Sequence, residues 1–380
     1  MSGINNIYNY NCSVLPTIVP AAKRIIAIGD VHGDMKLIID SLEISNIIKK
    51  TNNKKDVISV ILDQNTYDYE WIGKESVVVQ VGDQNDSCRS KNGSCDHVIK
   101  DTADDIKILN FYTNLNILAK KHGGAVYSLI GNHEIMNAEG NFSYTSNANI
   151  ESFNDYMDPY TGQRFANAMD ARTHAFKPGN EYANFLGCTR QSVLIIGDFM
   201  FIHAGIEKDF LQNFRGRQNL QKLNKLVRNW LLNTLSKVDE NNHQMNKLLD
   251  ETTYSPFWTR IMGNLPPHLS YESEECQEYL APVLSSYKIK GLVVGHTPQE
   301  TGINSTCDNK LFRVDVGASK AFHDSEEGIL LKREPQVLEI LKLPNNTYKY
   351  TVIFQKRETY EAIVNDDESS FGKLESRLPN

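Results

Sequence analysis

No stretch of the sequence approaches the roughly 20 consecutive apolar residues of a membrane span. The segment from Met1 to Pro20 is rich in Asn and Tyr and has no basic-then-apolar pattern. A membrane protein and a secretory leader are therefore not expected, and a cytoplasmic setting is. Cysteine is sparse: Cys12, Cys88, Cys95, Cys188, Cys276 and Cys307 are scattered over 380 residues. That usage predicts ordinary intracellular thiols; even the one close pair, Cys88 and Cys95, is not expected to bridge. Positive charge is short as well, with 40 Lys and Arg against 47 Asp and Glu, a formal net charge of −7. This argues against affinity won by neutralising nucleic-acid phosphates. Linkers and internal repeats are missing, so one domain is expected, and a 40% apolar content supports a full core.

What is present is a recurring pattern of a short apolar run, a glycine and a polar side chain. Arg24 to Ile28 reads as a buried strand that stops at Gly29 and delivers Asp30 and His32 two residues apart. A helical period follows from Met35 to Lys50, with Ile38, Ile39 and Leu42 on one face. Val57 to Leu62 is a candidate strand, and Asp63 to Lys74 reads as an irregular surface segment. Val77 to Val81 ends at Gly82-Asp83, and Ala103 to His122 is an amphipathic helix. Ala125 to Ile130 then ends at Gly131-Asn132. Ile135 to Gly179 is polar and Gly/Asn-rich, a cap of loops or short helices. Further on, Gln191–Gly197 and Phe199–Ile202 read as a strand pair ending in His203, Asn219–Leu235 and Gln277–Tyr287 as helices, and Gly291–Val294 as a strand ending in Gly295-His296. Leu311–Val316, Gly328–Leu343 and Thr347–Gln355 read as strands of a second sheet, and the acidic tail from Asn365 as disordered.

Strands alternating with helices predict a mostly parallel α/β sheet with its site beyond the strands' carboxyl ends. Asp30, His32, Asp83, Asn132, His203 and His296 then become one set of donors. Mixed carboxylate, imidazole and amide donors suit two divalent first-row ions, manganese, iron or zinc, better than an all-oxygen calcium site. Asp83, on the middle strand, is the natural shared ligand. Asp30 and His32 then fall to one ion and Asn132, His203 and His296 to the other.

In this order, Gly-Asp-x-His-Gly, Gly-Asp-x-x-Asp, Gly-Asn-His-Glu, His-Ala-Gly and Gly-His-Thr resemble the calcineurin-type metallophosphoesterases, and within them the phosphoprotein phosphatases. Leu129 to Asn137, Arg172 to Gly179 and Ser255 to Arg260 are similar to the Shewanella-like protein phosphatases. The resemblance spans about Arg24 to Val316. It implies a four-layer αββα sandwich over residues 23–357, with a cap insertion at about 135–190 and a helical insertion at about 206–288. Residues 1–22 would be an N-terminal extension and 358–380 a flexible tail. It also implies a dinuclear phosphomonoesterase acting on phosphoprotein (phosphotyrosine, phosphoserine or phosphothreonine) by direct attack of a metal-bridging hydroxide, with His133 as general acid and Asp86 orienting it.

The sequence departs from the family at Ser87, where most phosphoprotein phosphatases have a phosphate-gripping arginine. Arg89, or Arg260 of the Trp-x-Arg element, is expected to take that role. Pro298 stands where the wider superfamily's phosphodiesterases carry a second His, which favours monoesters. Hydrolysis of small phosphates such as dinucleoside polyphosphates is the enzyme alternative, and a metal-free scaffold the non-enzyme one. The Cys-x5-Arg spacing of Cys307 and Arg313 lacks the glycines of a thiol phosphatase loop and reads as coincidence.

Overall fold

The computed structural model describes residues 12–62, 64–90, 94–98, 101–235, 240–322, 334–354 and 358–364. Two six-stranded sheets form its centre. The first runs Glu358–Val364, Tyr348–Phe354, Gln336–Lys342, Arg24–Ile28, Val77–Gln80, Ala125–Ser128 in spatial order. Its last three strands are parallel, with Ile25 opposite Val77 and Val77 opposite Ala125. All three therefore end on one edge. The second sheet runs Ile18–Val19, Val193–Ile196, Phe199–Ile202, Gly291–Val294, Leu311–Arg313, Asn304–Thr306. Here Phe199–Ile202, Gly291–Val294 and Leu311–Arg313 are the parallel trio.

The sheets face each other. Phe199 and Phe312 meet Tyr348 and Tyr350 of the opposite sheet at ring-centroid distances of 4.8 and 4.7 Å. The period of two decides which side chains do this. Leu194, Ile196, Phe199 and Phe201 enter the core shared with the first sheet, while Val193, Ile195, Met200 and Ile202 join the helices outside. The first sheet is covered by Met35–Ile44 and Asp105–Lys121, the second by helices of which Arg217–Leu231 buries Leu220, Leu223, Val227 and Leu231 at helical spacing. Helix, sheet, sheet, helix is the expected four-layer order. Asp34 caps the first helix by accepting from the Leu37 amide at 3.0 Å, so the turn that carries His32 is pinned directly to the helix behind it.

Three expectations are corrected. Asp63–Lys74 is not irregular: Asn65–Trp71 is a strand paired antiparallel with both Ile48–Thr51 and Val57–Leu62, anchored by buried Tyr69 and Trp71. Leu311–Arg313 and the later strands do not share a sheet. Gln336–Lys342 instead takes the open edge of Arg24–Ile28, Ile340 opposite Ile25. Glu358–Val364, placed in a flexible tail, pairs antiparallel with Tyr348–Phe354. The tail from Asn365, residues 1–11 of the extension and residues 328–333 of an expected strand lie outside the described residues. No described helix is long and apolar enough to cross a membrane.

The cysteines are corrected too. All six are paired, as Cys12–Cys188, Cys88–Cys95 and Cys276–Cys307. Two of these bridges span 176 and 31 residues, separations that only the folded chain closes. Thiol titration of the denatured, unreduced protein should find no free cysteine. Cys12→Ser should lower stability by about 2–4 kcal/mol, read from denaturant melts, since the bridge closes a long loop of the unfolded chain.

Candidate metal centre

Each parallel trio delivers its polar residues to the same edge. From the first sheet come Asp30 with His32, then Asp83, then Asn132; from the second come His203, His296 and Asp315. The glycines make the convergence sterically feasible. A Cβ on Gly131 would lie 2.1 Å from Asp83 Oδ1, and one on Gly295 would lie 2.3 Å from Asp30 Oδ1. Each therefore opens space for the carboxylate of another strand. Two donor clusters result, His32, Asp83 and His133, and Asp83, His203 and His296, with Asp83 common to both. Asp30 completes the first side, its Oδ2 3.9 Å from His32 Nε2 and accepting from the His296 amide at 3.0 Å.

All three predicted imidazole ligands are oriented in the same way. His32 Nδ1, His203 Nδ1 and His296 Nε2 face the backbone carbonyls of Asn85, Val81 and Trp258 at 3.3, 3.0 and 3.1 Å. Donation to those carbonyls leaves a lone pair on the opposite nitrogen, which faces the cluster; this is how metal-ligating histidines are usually held. The point occupied by Asn132 Oδ1 lies 2.9 Å from His203 Nε2, 3.0 Å from His296 Nδ1 and 3.2–3.3 Å from the Asp83 oxygens. Lone pairs so close repel unless positive charge lies among them or the amide turns its NH2 inward. Rotating the amide would leave Asp30 Oδ1 buried without a hydrogen bond, whereas cations would satisfy both groups. The donor set therefore fits divalent cations.

The electrostatics divide the donors: burial acts to lower the His203 imidazole, but the Asp83 carboxylate outweighs it and holds it above its usual value. Burial, then Asp315 and Asp83, hold the Asp30 carboxyl well above its usual range. Burial acts to raise Asp83 also, but His203 and His133 outweigh it and hold that carboxyl well below. Burial keeps His32 and His296 well below the usual imidazole value, as neutral donors.

Beside the shared carboxylate, His133 Nε2 is 3.9 Å from Asp83 Oδ2, and His133 Nδ1 is 2.8 Å from Asp86 Oδ2. His133 and Asp86, named together in the sequence analysis, are thus hydrogen-bonded to each other. Ser87 is filled in by its own partners, donating to Asp101 at 2.6 Å and accepting from Asn149 at 2.9 Å. Arg89, in the loop closed by Cys88–Cys95, lies with its guanidinium 4.1 Å from the Phe322 ring centroid and 5.9 Å from that of Tyr144. Its charge is felt by Asp30 and His32, and it in turn by Asp83 and Asp315. Arg260 stands at the exposed rim on the other side, donating to the His296 carbonyl at 3.2 Å. The structure therefore brings together all ten residues singled out in the sequence. Cys307 is bridged, and Arg313 is occupied by Asn304 and the Gly263 carbonyl, so no thiol loop exists there.

Sequence reasoning missed two carboxylates. Glu134 is fully buried and accepts from the amides of Asp83, Gln84, Asn85 and Gly131 at 2.7–3.2 Å, locking two ligand turns together. Asp315 is buried, with Oδ2 unpartnered and Oδ1 accepting from the Gly317 amide. The signal for Asp315 was available, because Asp315-Val316-Gly317 after Leu311–Arg313 repeats the ligand-x-glycine order of His203-Ala204-Gly205.

Residues 23–300 match the calcineurin-like phosphoesterase family. Uncharacterized protein R398 of Acanthamoeba polyphaga mimivirus is 42% identical over 245 residues, 60% of this chain and 94% of that protein. Shewanella-like protein phosphatase 2 of Arabidopsis thaliana is 26% identical over 396 residues, covering 95% and 86%. Shewanella-like protein phosphatase 1 of Plasmodium berghei (strain Anka) is 29% identical over 298 residues, covering 78% and 67%. The crystal structure of a cold-active protein-tyrosine phosphatase of a psychrophile, Shewanella sp., has the same fold, with a TM-score of 0.59 at 19% identity over 92% of this chain and 83% of that one.

Metal affinity should rise with pH. Asp315 is raised to about 6, chiefly by burial, and Asp30 is raised well above its usual value. In acid Asp30 carries a proton that a cation must displace, and a protonated Asp315 adds no negative charge beside it. The Mn2+ dissociation constant from titration calorimetry should therefore fall at least ~10-fold from weakly acidic to weakly basic buffer. Asp83→Asn should reduce bound metal below two ions per chain.

Proposed function

Because the chain belongs to the calcineurin-like phosphoesterase family, we propose that it hydrolyses phosphate monoesters at the two donor clusters that share Asp83, and that its substrates are phosphoproteins. The observation that carries this reading is the shared carboxylate with inward-facing lone pairs on both sides and the His133–Asp86 pair beside it. In this reading Asp30, His32 and Asp83 hold one divalent ion, and Asp83, Asn132, His203 and His296 the other, with manganese, iron or zinc favoured by the mixed nitrogen and oxygen donors. When bound, such ions supply Lewis acidity toward water and toward phosphoryl oxygens. The side chains do the rest. Arg89 and Arg260, from opposite rims, grip the phosphoryl oxygens with charge-assisted hydrogen bonds. His133 donates its proton to the leaving oxygen from Nε2 while Asp86 holds Nδ1–H and so fixes the tautomer. Water attacks phosphorus opposite the leaving group, and no phosphoenzyme forms.

Two curated relatives are named protein phosphatases and a structural neighbour a protein-tyrosine phosphatase, which supports a phosphoprotein substrate. Tyr144, beside His133 at 5.2 Å between ring centroids, and Phe322, beside His32 at 5.7 Å, give the rim an aromatic character that suits phosphotyrosine. The three disulfides favour an oxidising compartment over the cytoplasm expected from the N-terminal segment and the scattered cysteines.

Turnover of a phosphotyrosine peptide, a phosphothreonine peptide and a dinucleoside tetraphosphate by metal-reconstituted protein tests the reading. Peptide hydrolysis abolished by chelator is expected, and hydrolysis of the dinucleotide alone would overturn it. His133→Asn should lower kcat by about 10²–10⁴-fold. Arg89→Ala and Arg260→Ala should each weaken inhibition by inorganic phosphate about 10-fold or more.

A further inference from the structure

Asp86 is fully buried and has a left-handed backbone, φ 74°. Its orientation is imposed from outside its own loop. Asn137 Nδ2 lies 3.1 and 3.0 Å from the two Asp86 oxygens and also donates to the His133 carbonyl at 2.9 Å, so one amide group spans both members of the pair. Thr145 adds a hydroxyl at 2.6 Å to Oδ1. An amide has two faces, however, and nothing in Asn137 itself decides which one meets Asp86. The His133 carbonyl favours the NH2 on this side, and Arg172, which can only donate, fixes it from the other. Its Nε and Nη2 reach Asn137 Oδ1 at 3.2 and 2.6 Å. With guanidinium on the oxygen side, the NH2 must face Asp86.

The same guanidinium reaches Asp86 a second way. Arg172 Nη2 is 2.7 Å from Asp105 Oδ2, and Asp105 Oδ1 accepts from the Asp86 backbone amide at 3.1 Å. Arg172 thus holds the Asp86 carboxylate through Asn137 and the Asp86 backbone through Asp105. It also lies 4.0 Å from Asp86 Oδ1, a buried positive charge close to a carboxylate that must stay ionised. Its own plane is set by Phe176 and Phe153, at 4.8 and 5.3 Å to the ring centroids, and by the Asn149 carbonyl at 3.2 Å. Arg172 lies in the helix Ala168–Phe176, far along the chain from Asp86 and within the cap segment.

We propose that Arg172, acting through Asn137 and Asp105, is the positioning residue for proton donation by His133. The inference rests on the general-acid role given to His133 above. It makes the cap part of the leaving-group machinery and not a cover alone.

The test compares phenyl phosphate, a poor leaving group that needs protonation, with 2,4-dinitrophenyl phosphate, which does not, using holoenzyme with bound metal counted. Arg172→Gln should lower kcat on phenyl phosphate about 10–100-fold and on the activated ester less than about 3-fold, with KM and metal content unchanged. Arg172→Lys keeps the charge but lacks the fork, and should recover only part of the loss. Asn137→Ala asks the same question should Arg172→Gln fail to fold, and should show the same selectivity. Combined with His133→Asn, neither change should add a further loss on phenyl phosphate. Equal losses on both esters, or additive losses in the double variants, would overturn the inference while leaving His133 as the acid. If His133→Asn itself fails to discriminate the two esters, the general-acid reading falls and this inference falls with it.

Discussion

Lone pairs crowd around Asp83 in a space that water barely enters. Asp30, His32, Asp83, Asn132, His203 and His296 are each at most 5% exposed, and three of the imidazole nitrogens turn inward because their opposite nitrogens are tied to backbone carbonyls. Such a cluster is costly unless positive charge compensates it. Much of the surrounding structure holds it together: Glu134 clamps two turns through four amides, and Asp34 fastens a third to its helix. His32, Asp83, Asp86 and His296 all have positive φ, each at an expected cost of order 1–3 kcal/mol. Strain gathered at three strand-end turns is what aiming side chains from separate strands into one small volume requires.

The sandwich supplies the volume. Two trios of parallel strands, one per sheet, end on the same side, and the sheets close through aromatic contacts between their inner faces. Donors from one sheet therefore meet donors from the other. The glycines before Asn132 and His296 matter for this meeting more than for their own turns, because each clears room for a carboxylate delivered elsewhere in the chain.

Around the donors the rim divides its work. Arginines enter from opposite sides, Arg89 lodged between aromatic rings and Arg260 beside His296. The disulfide Cys88–Cys95 closes the loop that carries Arg89. The cap meanwhile sends Arg172 and Thr145 inward to the buried side of Asp86. The phosphate grip and proton donation proposed above thus draw on segments that lie outside the strands altogether.

Local pattern in the sequence was enough for the buried strands, the glycine-then-ligand turns and, with family motifs, all six expected donors and the His133–Asp86 pair. Each of these is written in adjacent residues or in a period of two. Asn65–Trp71 escaped notice because its buried Tyr69 and Trp71 lie among charged neighbours, and Asp315 because its glycine follows it where the glycines of Asp30, Asp83, Asn132 and His296 come first. The three disulfides, the sheet chosen by Gln336–Lys342 and the Arg172–Asn137–Asp86 chain were decided only by tertiary structure. Apart from Cys88–Cys95, which are 7 residues apart, they join residues tens to hundreds of positions apart, and no local period or motif records which distant partner a side chain will meet once the layers close.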